Sequence, residues 1–345
     1  MEYTNLFAFF LQILWFLGKK QENICSYEGN VVILRDFSRM IDLHLHLDGS
    51  IPVHTARKLA EMQGIGVPKD EAALKALMSL TPDCKNLNDY LHRFAFALSL
   101  LQTPEALRIC TEDLLAELEA QGLEYAEIRF APQLCTRKGL SQYDATCAVL
   151  DGMRAATMPC GLILSMMRGF SNHTENKETV FVAEEFLGKG VVCVDLAGAE
   201  ALYPTSDFAE EFKIARQLDV PLIVHAGEAA GAESVREAVY AGARRIGHGV
   251  RALEDPSVVK LLVERDVTLE LCPTSNLQTG IFPSYEQYPL RRLMEAGIKV
   301  CLNTDNMTIS NTTLKAEWQH MIDAQHLTEA EIQTLEQNAK EAAFS

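Results

Sequence analysis

Two histidines, His44 and His46, stand at i and i+2 in the run IDLHLHLDG. In a β-strand both imidazoles would project from one face of the pleat. Two more ligand types close apolar runs of their own: His225 in PLIVHAGE and Asp305 in KVCLNTDN. Three neutral imidazoles and one carboxylate suit Zn²⁺, and an open coordination position beside them would hold water. Glu228 lies three residues after His225 in HAGE, and His248 closes RIGHG. Taken singly, Glu228 reads as an acid at a helix start and His248 as a packed core imidazole. Beside a metal, both become acid–base candidates.

The elements that must position these residues are legible from Met40 onward. Eight β-rich apolar runs alternate with helical sequence, at 41–47, 124–130, 161–167, 191–197, 220–226, 243–248, 267–272 and 298–304. This pattern predicts an α/β fold, a (β/α)8 TIM barrel, whose chemistry sits where strands meet their C-terminal loops. Thr103 and Pro104 open a helix that ends before Gly122, Asp255-Pro256 opens another, and AG pairs at 241–242 and 296–297 end two more. The connection from about residue 50 to 123 holds more helix than one crossover needs, so extra helices are inserted between the first and second strands. Within it, NLNDYLHRFAFALSL turns Leu87, Tyr90, Leu91 and Phe94 to one face, which suits either core packing or a hydrophobic lid.

Composition narrows the partners. The chain has 345 residues, 48% of them hydrophobic, and a net charge of −16 with no basic cluster. Long nucleic acid is therefore not an expected partner. Nine cysteines are scattered without CxxC pairs, which favours reduced thiols in a cytoplasm. The apolar run LFAFFLQILWFLG at 6–18 is too short for an ordinary transmembrane helix. It also lacks preceding basic residues and a cleavage site. Residues 1–39 thus read as an apolar N-terminal extension outside the folded domain, and 40–345 as the barrel. No membrane partner is expected unless 6–18 is a genuine anchor.

Five blocks in order, HLHLDGS, DLAGAE, HAGE, RIGHG and NTDN, closely resemble the adenosine/AMP deaminase family, a branch of the metal-dependent amidohydrolases. The resemblance covers residues 40 to about 340 and implies that His44, His46, His225 and Asp305 bind zinc. It further implies that Glu228 exchanges a proton with purine N1 and that His248 and Asp305 position the attacking water. Gly198 would offer its N–H to N3, Asp48 would hold a ribose hydroxyl, and the apolar face at 87–94 would cover the site. DLAGAE supplies no lysine for carbamylation, so one Zn²⁺ per chain is implied. Asn306 stands where many members carry an aspartate toward purine N7; its amide donates at any pH.

The resemblance thus predicts hydrolytic deamination of a purine nucleoside, adenosine first and adenine second. A carboxylate at Asp48 would repel a 5′-phosphate, which disfavours nucleotides. The alternative for Asp48 is a cap on the helix that starts near Pro52. The cytidine-deaminase arrangement, HxE with PCxxC, is absent. A silent relative would have lost a ligand or Glu228, and all are present.

Overall fold

The structure, a computed structural model, describes residues 23–27, 30–34, 40–81 and 84–344. It divides into two units, 1–38 and 39–345. In the first, strands β1 (Asn23–Tyr27) and β2 (Asn30–Leu34) pair antiparallel. The run NVVIL, rich in β-branched residues, favours that pairing. The apolar run at 6–18 lies outside the described residues.

The second unit contains the eight expected strands: β3 (Met40–His46), β4 (Leu123–Phe130), β5 (Cys160–Met167), β6 (Val191–Ala197), β7 (Ile223–Ala226), β8 (Arg245–His248), β9 (Thr268–Leu271) and β10 (Val300–Leu302). They form two parallel four-stranded sheets, β3-β4-β5-β6 and β7-β8-β9-β10. Bridges Val194↔Leu222 and Leu45↔Asp305 join them into a (β/α)8 barrel. At the second seam His46 N donates to Asp305 O at 2.8 Å and Asp305 N to His44 O at 2.7 Å. The run expected at 220–226 is strand only from Ile223, because Pro221 has no N–H for a ladder.

Five helices separate β3 from β4: α1 (Val53–Gln63), α2 (Glu71–Met78), α3 (Leu87–Leu91), α4 (Phe94–Leu100) and α5 (Pro104–Ala120). The last is the crossover, and the other four are the inserted helices. Asp70, Asn86 and Thr103 side chains cap α2, α3 and α5 by accepting the amide three residues on. Helix α1 has Pro52 at its cap position and no side-chain cap. The capping alternative for Asp48 is therefore wrong: the residue lies too far before α1 to reach its first amides, and its buried Oδ1 has no partner. Glu228 is likewise no helix-start acid, since the next helix begins at Ala232.

Leu43 packs with Cys301 and with Ala339 on the helix Glu329–Ala342. The barrel interior is not the usual stack of branched apolar residues. Arg129 lies between Asp195 at 3.3 Å and Glu270 at 2.9 Å, and Arg245 pairs with Glu270 at 2.6 Å and with Glu127. Burial demands such pairing of charge. Cys110, Cys135, Cys147, Cys160, Cys193, Cys272 and Cys301 are free thiols. Among the described residues, no helix is long and apolar enough to cross a membrane.

Candidate active site

Strand ends deliver every candidate donor to one place. His44 and His46 come from β3 and His225 from β7; His248 ends β8, and Asp305 follows β10 by three residues. His248 and Asp305 adopt φ of 63° and 66°. Such left-handed backbone costs a non-glycine residue on the order of 1–3 kcal/mol and persists where surrounding contacts over-determine it.

The donors converge. Nε2 of His46 lies 3.2 Å from Nε2 of His225, and Asp305 Oδ1 lies 3.4 Å from His46 Nε2 and 3.6 Å from His44 Nε2. His44 Nε2 is buried without a hydrogen-bond partner. The far side of this set is held. His44 Nδ1 meets Glu270 Oε2 at 2.8 Å, His225 Nδ1 meets Asp195 Oδ1 at 3.0 Å, and Ser275 Oγ donates to Asp305 Oδ2 at 2.6 Å. A carboxylate on Nδ1 fixes the tautomer that leaves the Nε2 lone pair free for a metal. Three imidazoles, one carboxylate and an orphaned inward nitrogen fit a divalent cation of the zinc type. His44, His248, Cys272 and Asp305 form a second grouping within ligand reach. Burial pushes the Cys272 thiol well above its usual range, and a protonated thiol is a poor ligand.

Electrostatics suit the same reading. Burial lowers the pKa of His46, His225 and His248, keeping them neutral. For His44, burial and Arg129 lower the pKa, but the nearby carboxylates of Asp305 and Glu270 raise it overall. Burial opposes charge on Asp305 as well, yet the neighbouring His44, with His46 and His248, holds it well below the carboxylate range. Glu228 goes the other way. It is 4% exposed, and burial, then the charges of Asp305 and Glu200, push its carboxyl well above the ordinary range. Its Oε2 lies 3.6 Å from His248 Nε2. On the other side of that ring, Asn276 Nδ2 meets Nδ1 at 3.1 Å while Tyr288 donates to Asn276 Oδ1 at 2.9 Å. This chain makes Nδ1 the acceptor and places the proton of neutral His248 on Nε2.

A cavity of about 230 Å³ opens over these groups. It is lined by His46, His225, Glu228, His248 and Asp305, and by Asp48, Gly198 and Asn306. Burial raises the Asp48 carboxyl to about 7. Asn306 Nδ2 donates to Asp305 Oδ1 at 2.6 Å, leaving its second N–H uncommitted to that oxygen. Leu87, Tyr90, Leu91 and Phe94 line the same cavity from α3 and α4. Lid and core packing are not exclusive here: Tyr90 is buried, and its hydroxyl shares a 2.7 Å hydrogen bond with Ser310.

The sequence reading brought out the cavity residues named above and missed others that line it, such as Leu134, Met167 and Arg168, together with the supports Asp195, Glu270, Ser275 and Asn276. A charged residue inside an apolar run, as in TLEL or VVCVDL, is the signal that could have found Glu270 and Asp195.

Known proteins bear on this arrangement directly. The adenosine deaminase family model matches residues 40–345. The adenosine deaminases of Haemophilus ducreyi and Enterococcus faecalis are 46% identical over 314 residues and 41% identical over 307. Each alignment spans 88% of this chain and 91% of the relative. The crystal structure of adenine deaminase from Arthrobacter aurescens superposes with a TM-score of 0.79 at 26% identity, over 88% of this chain and 93% of that one. With the match beginning at the first barrel strand and running through every cavity residue, the chain belongs to the adenosine deaminase family.

Proposed function

We propose that this protein hydrolyses adenosine, and 2′-deoxyadenosine, to the inosine nucleoside and ammonia, with one Zn²⁺ per chain held by His44, His46, His225 and Asp305. The observation that carries this reading is Glu228, buried beside His248 in a cavity floored by the four donors, where burial raises its carboxyl well above the ordinary range. Zinc bound there supplies Lewis-acid activation of a water, whose pKa on such an ion falls to about 7. Glu228 donates its proton to purine N1, which makes C6 more electrophilic. His248 holds the attacking oxygen through its Nε2–H, and Asp305 helps orient it. The new C6–O bond forms and the C6–N bond breaks. Of the two protons the water loses, one leaves with the amino group as ammonia and one returns to Glu228. Gly198 N–H binds N3, the remaining N–H of Asn306 binds N7, and Asp48 accepts from the ribose. Leu87, Tyr90, Leu91 and Phe94 keep bulk water from the purine.

The seven free thiols from Cys110 to Cys301 suit a reducing cytoplasm, where we place the enzyme. A substrate panel of adenosine, 2′-deoxyadenosine, adenine and AMP, read by ammonia release, tests the assignment. Adenosine should give the highest kcat/KM. No ammonia from any of the four, or adenine ahead of adenosine, overturns it.

A further inference from the structure

We infer that Glu200 is a positioning residue, whose carboxylate holds the loop 227–230 so that the side chain of Glu228 enters the cavity. The inference rests on the deaminase reading above for what Glu228 does, and on hydrogen bonds alone for how it is held. Glu200 sits in the loop after β6 and is 2% exposed. Its Oε1 accepts the Gly227 amide at 2.6 Å, and its Oε2 accepts those of Glu228 at 3.0 Å, Ala229 at 2.6 Å and Ala230 at 2.9 Å. Four consecutive amides thus converge on one carboxylate, a concave anion site of backbone N–H groups filled from within the chain. Both oxygens of Glu200 are spent on this, and the residue is not among those lining the cavity. It acts through Glu228.

The geometry has a reason to need a carboxylate. This stretch precedes the helix Ala232–Ala241 and has no helical partners of its own. Gly227 takes φ 70°, and a Cβ there would meet Val235 Cγ2 at 2.5 Å, so the turn is tight. Arg168 secures the strand end just before it, donating to His225 O at 2.6 Å and, across to the loop after β6, to Tyr203 O at 2.6 Å. Charge-assisted bonds to an anion are the strong class, and a buried donor left without a partner costs the full desolvation of that group. A glutamine at 200 could satisfy Gly227 or the other three amides, but its NH₂ would face donors at the remaining position. An aspartate would be one methylene short. Either change must move the loop, and Glu228 is one of its four residues.

The test uses the full chain with Glu200→Gln, Glu200→Asp, Glu228→Gln and the Glu200→Gln/Glu228→Gln pair. Zinc content should stay at the parent level. Amide hydrogen exchange of the peptide covering 227–230 should speed up at least about tenfold in Glu200→Gln. The kcat for adenosine should fall at least about thirtyfold while KM stays within about threefold. In the Glu228→Gln background, adding Glu200→Gln should lower the residual rate by less than about threefold, because both changes remove the same function. Parent-like exchange, parent-like kcat, or losses that multiply in the pair overturn the inference. Should Glu200→Gln not accumulate as folded protein, Glu200→Asp carries the same readouts. A parent that does not deaminate adenosine would sink the deaminase reading, while the exchange measurement would still decide whether Glu200 holds the loop.

Discussion

Glu228 and His248 are both buried and lie 3.6 Å apart, and their environments push their protonation in opposite senses. Burial, Asp305 and Glu200 raise the glutamic acid, so its acid form persists above the pH at which an ordinary glutamate ionises and is lost as pH rises through the raised value. Burial lowers the histidine, so it stays neutral where an ordinary imidazole would take up a proton. The part of kcat/KM for adenosine that needs acid Glu228 should therefore fall as pH rises, and the part that needs ionised Asp48, whose carboxyl burial raises to about 7, should fall as pH drops through that value. Glu228→Gln should keep the metal and lose nearly all turnover, since an amide cannot give its proton to N1. Steady-state rates from about pH 5 to about pH 9 check both, and a loss under about tenfold, ~1.4 kcal/mol, contradicts the role. The proposed choice of substrate rests on Asp48. Its Oδ1 is buried without a partner, which suits a ribose hydroxyl. Asp48→Ala should cost ~1.5–3 kcal/mol in kcat/KM for adenosine, the range for a hydrogen bond to a charged group, and much less for adenine. Equal losses on the two substrates would remove the reason for preferring the nucleoside.

At the scale of elements, the insertion between β3 and β4 supplies one wall of the cavity. One apolar face was legible over 87–94, yet the chain there is split between two short helices, Leu87–Leu91 and Phe94–Leu100, parted at 92–93. The break leaves Leu87, Tyr90 and Leu91 on one helix and Phe94 on the other, all against the cavity. Tyr90 is anchored through Ser310, just past β10, so the cover is tied to the strand-end region that carries Asp305. Every residue proposed for chemistry lies on or after β3. Deleting residues 1–39 should therefore leave a folded enzyme with parent-like kcat and melting temperature, measured on the purified truncated chain. A product that is insoluble or inactive would make the extension part of the fold.

For the whole molecule, the column of charge through the barrel makes the candidate metal site and the core one structure. From Glu127 through Arg245, Glu270 and Arg129 to Asp195, each member is buried and paired, and two of the carboxylates also hold His44 and His225. A ligand that binds only the folded state stabilises it by about 2.7 kcal/mol at a hundred times its Kd. Chelation should thus lower the melting temperature and zinc should restore it, and elemental analysis should return one metal per chain. Two metals, or none after zinc supplementation, would reject the ligand set. The amino-acid sequence by itself determined the barrel, because strands repeat every two residues and helices carry their own start and stop signals within a few positions. It also determined which residues stand at strand ends, hence the donors, Glu228 and His248. Only the tertiary structure decided what holds them. His44 and Glu270 are 226 positions apart, His225 and Asp195 are 30 apart, and Glu200 meets its four amides 27 to 30 residues on. No local pattern encodes such pairs. They exist because closing the barrel turns strand interiors toward one another and, once water is excluded, each buried charge must find its partner there.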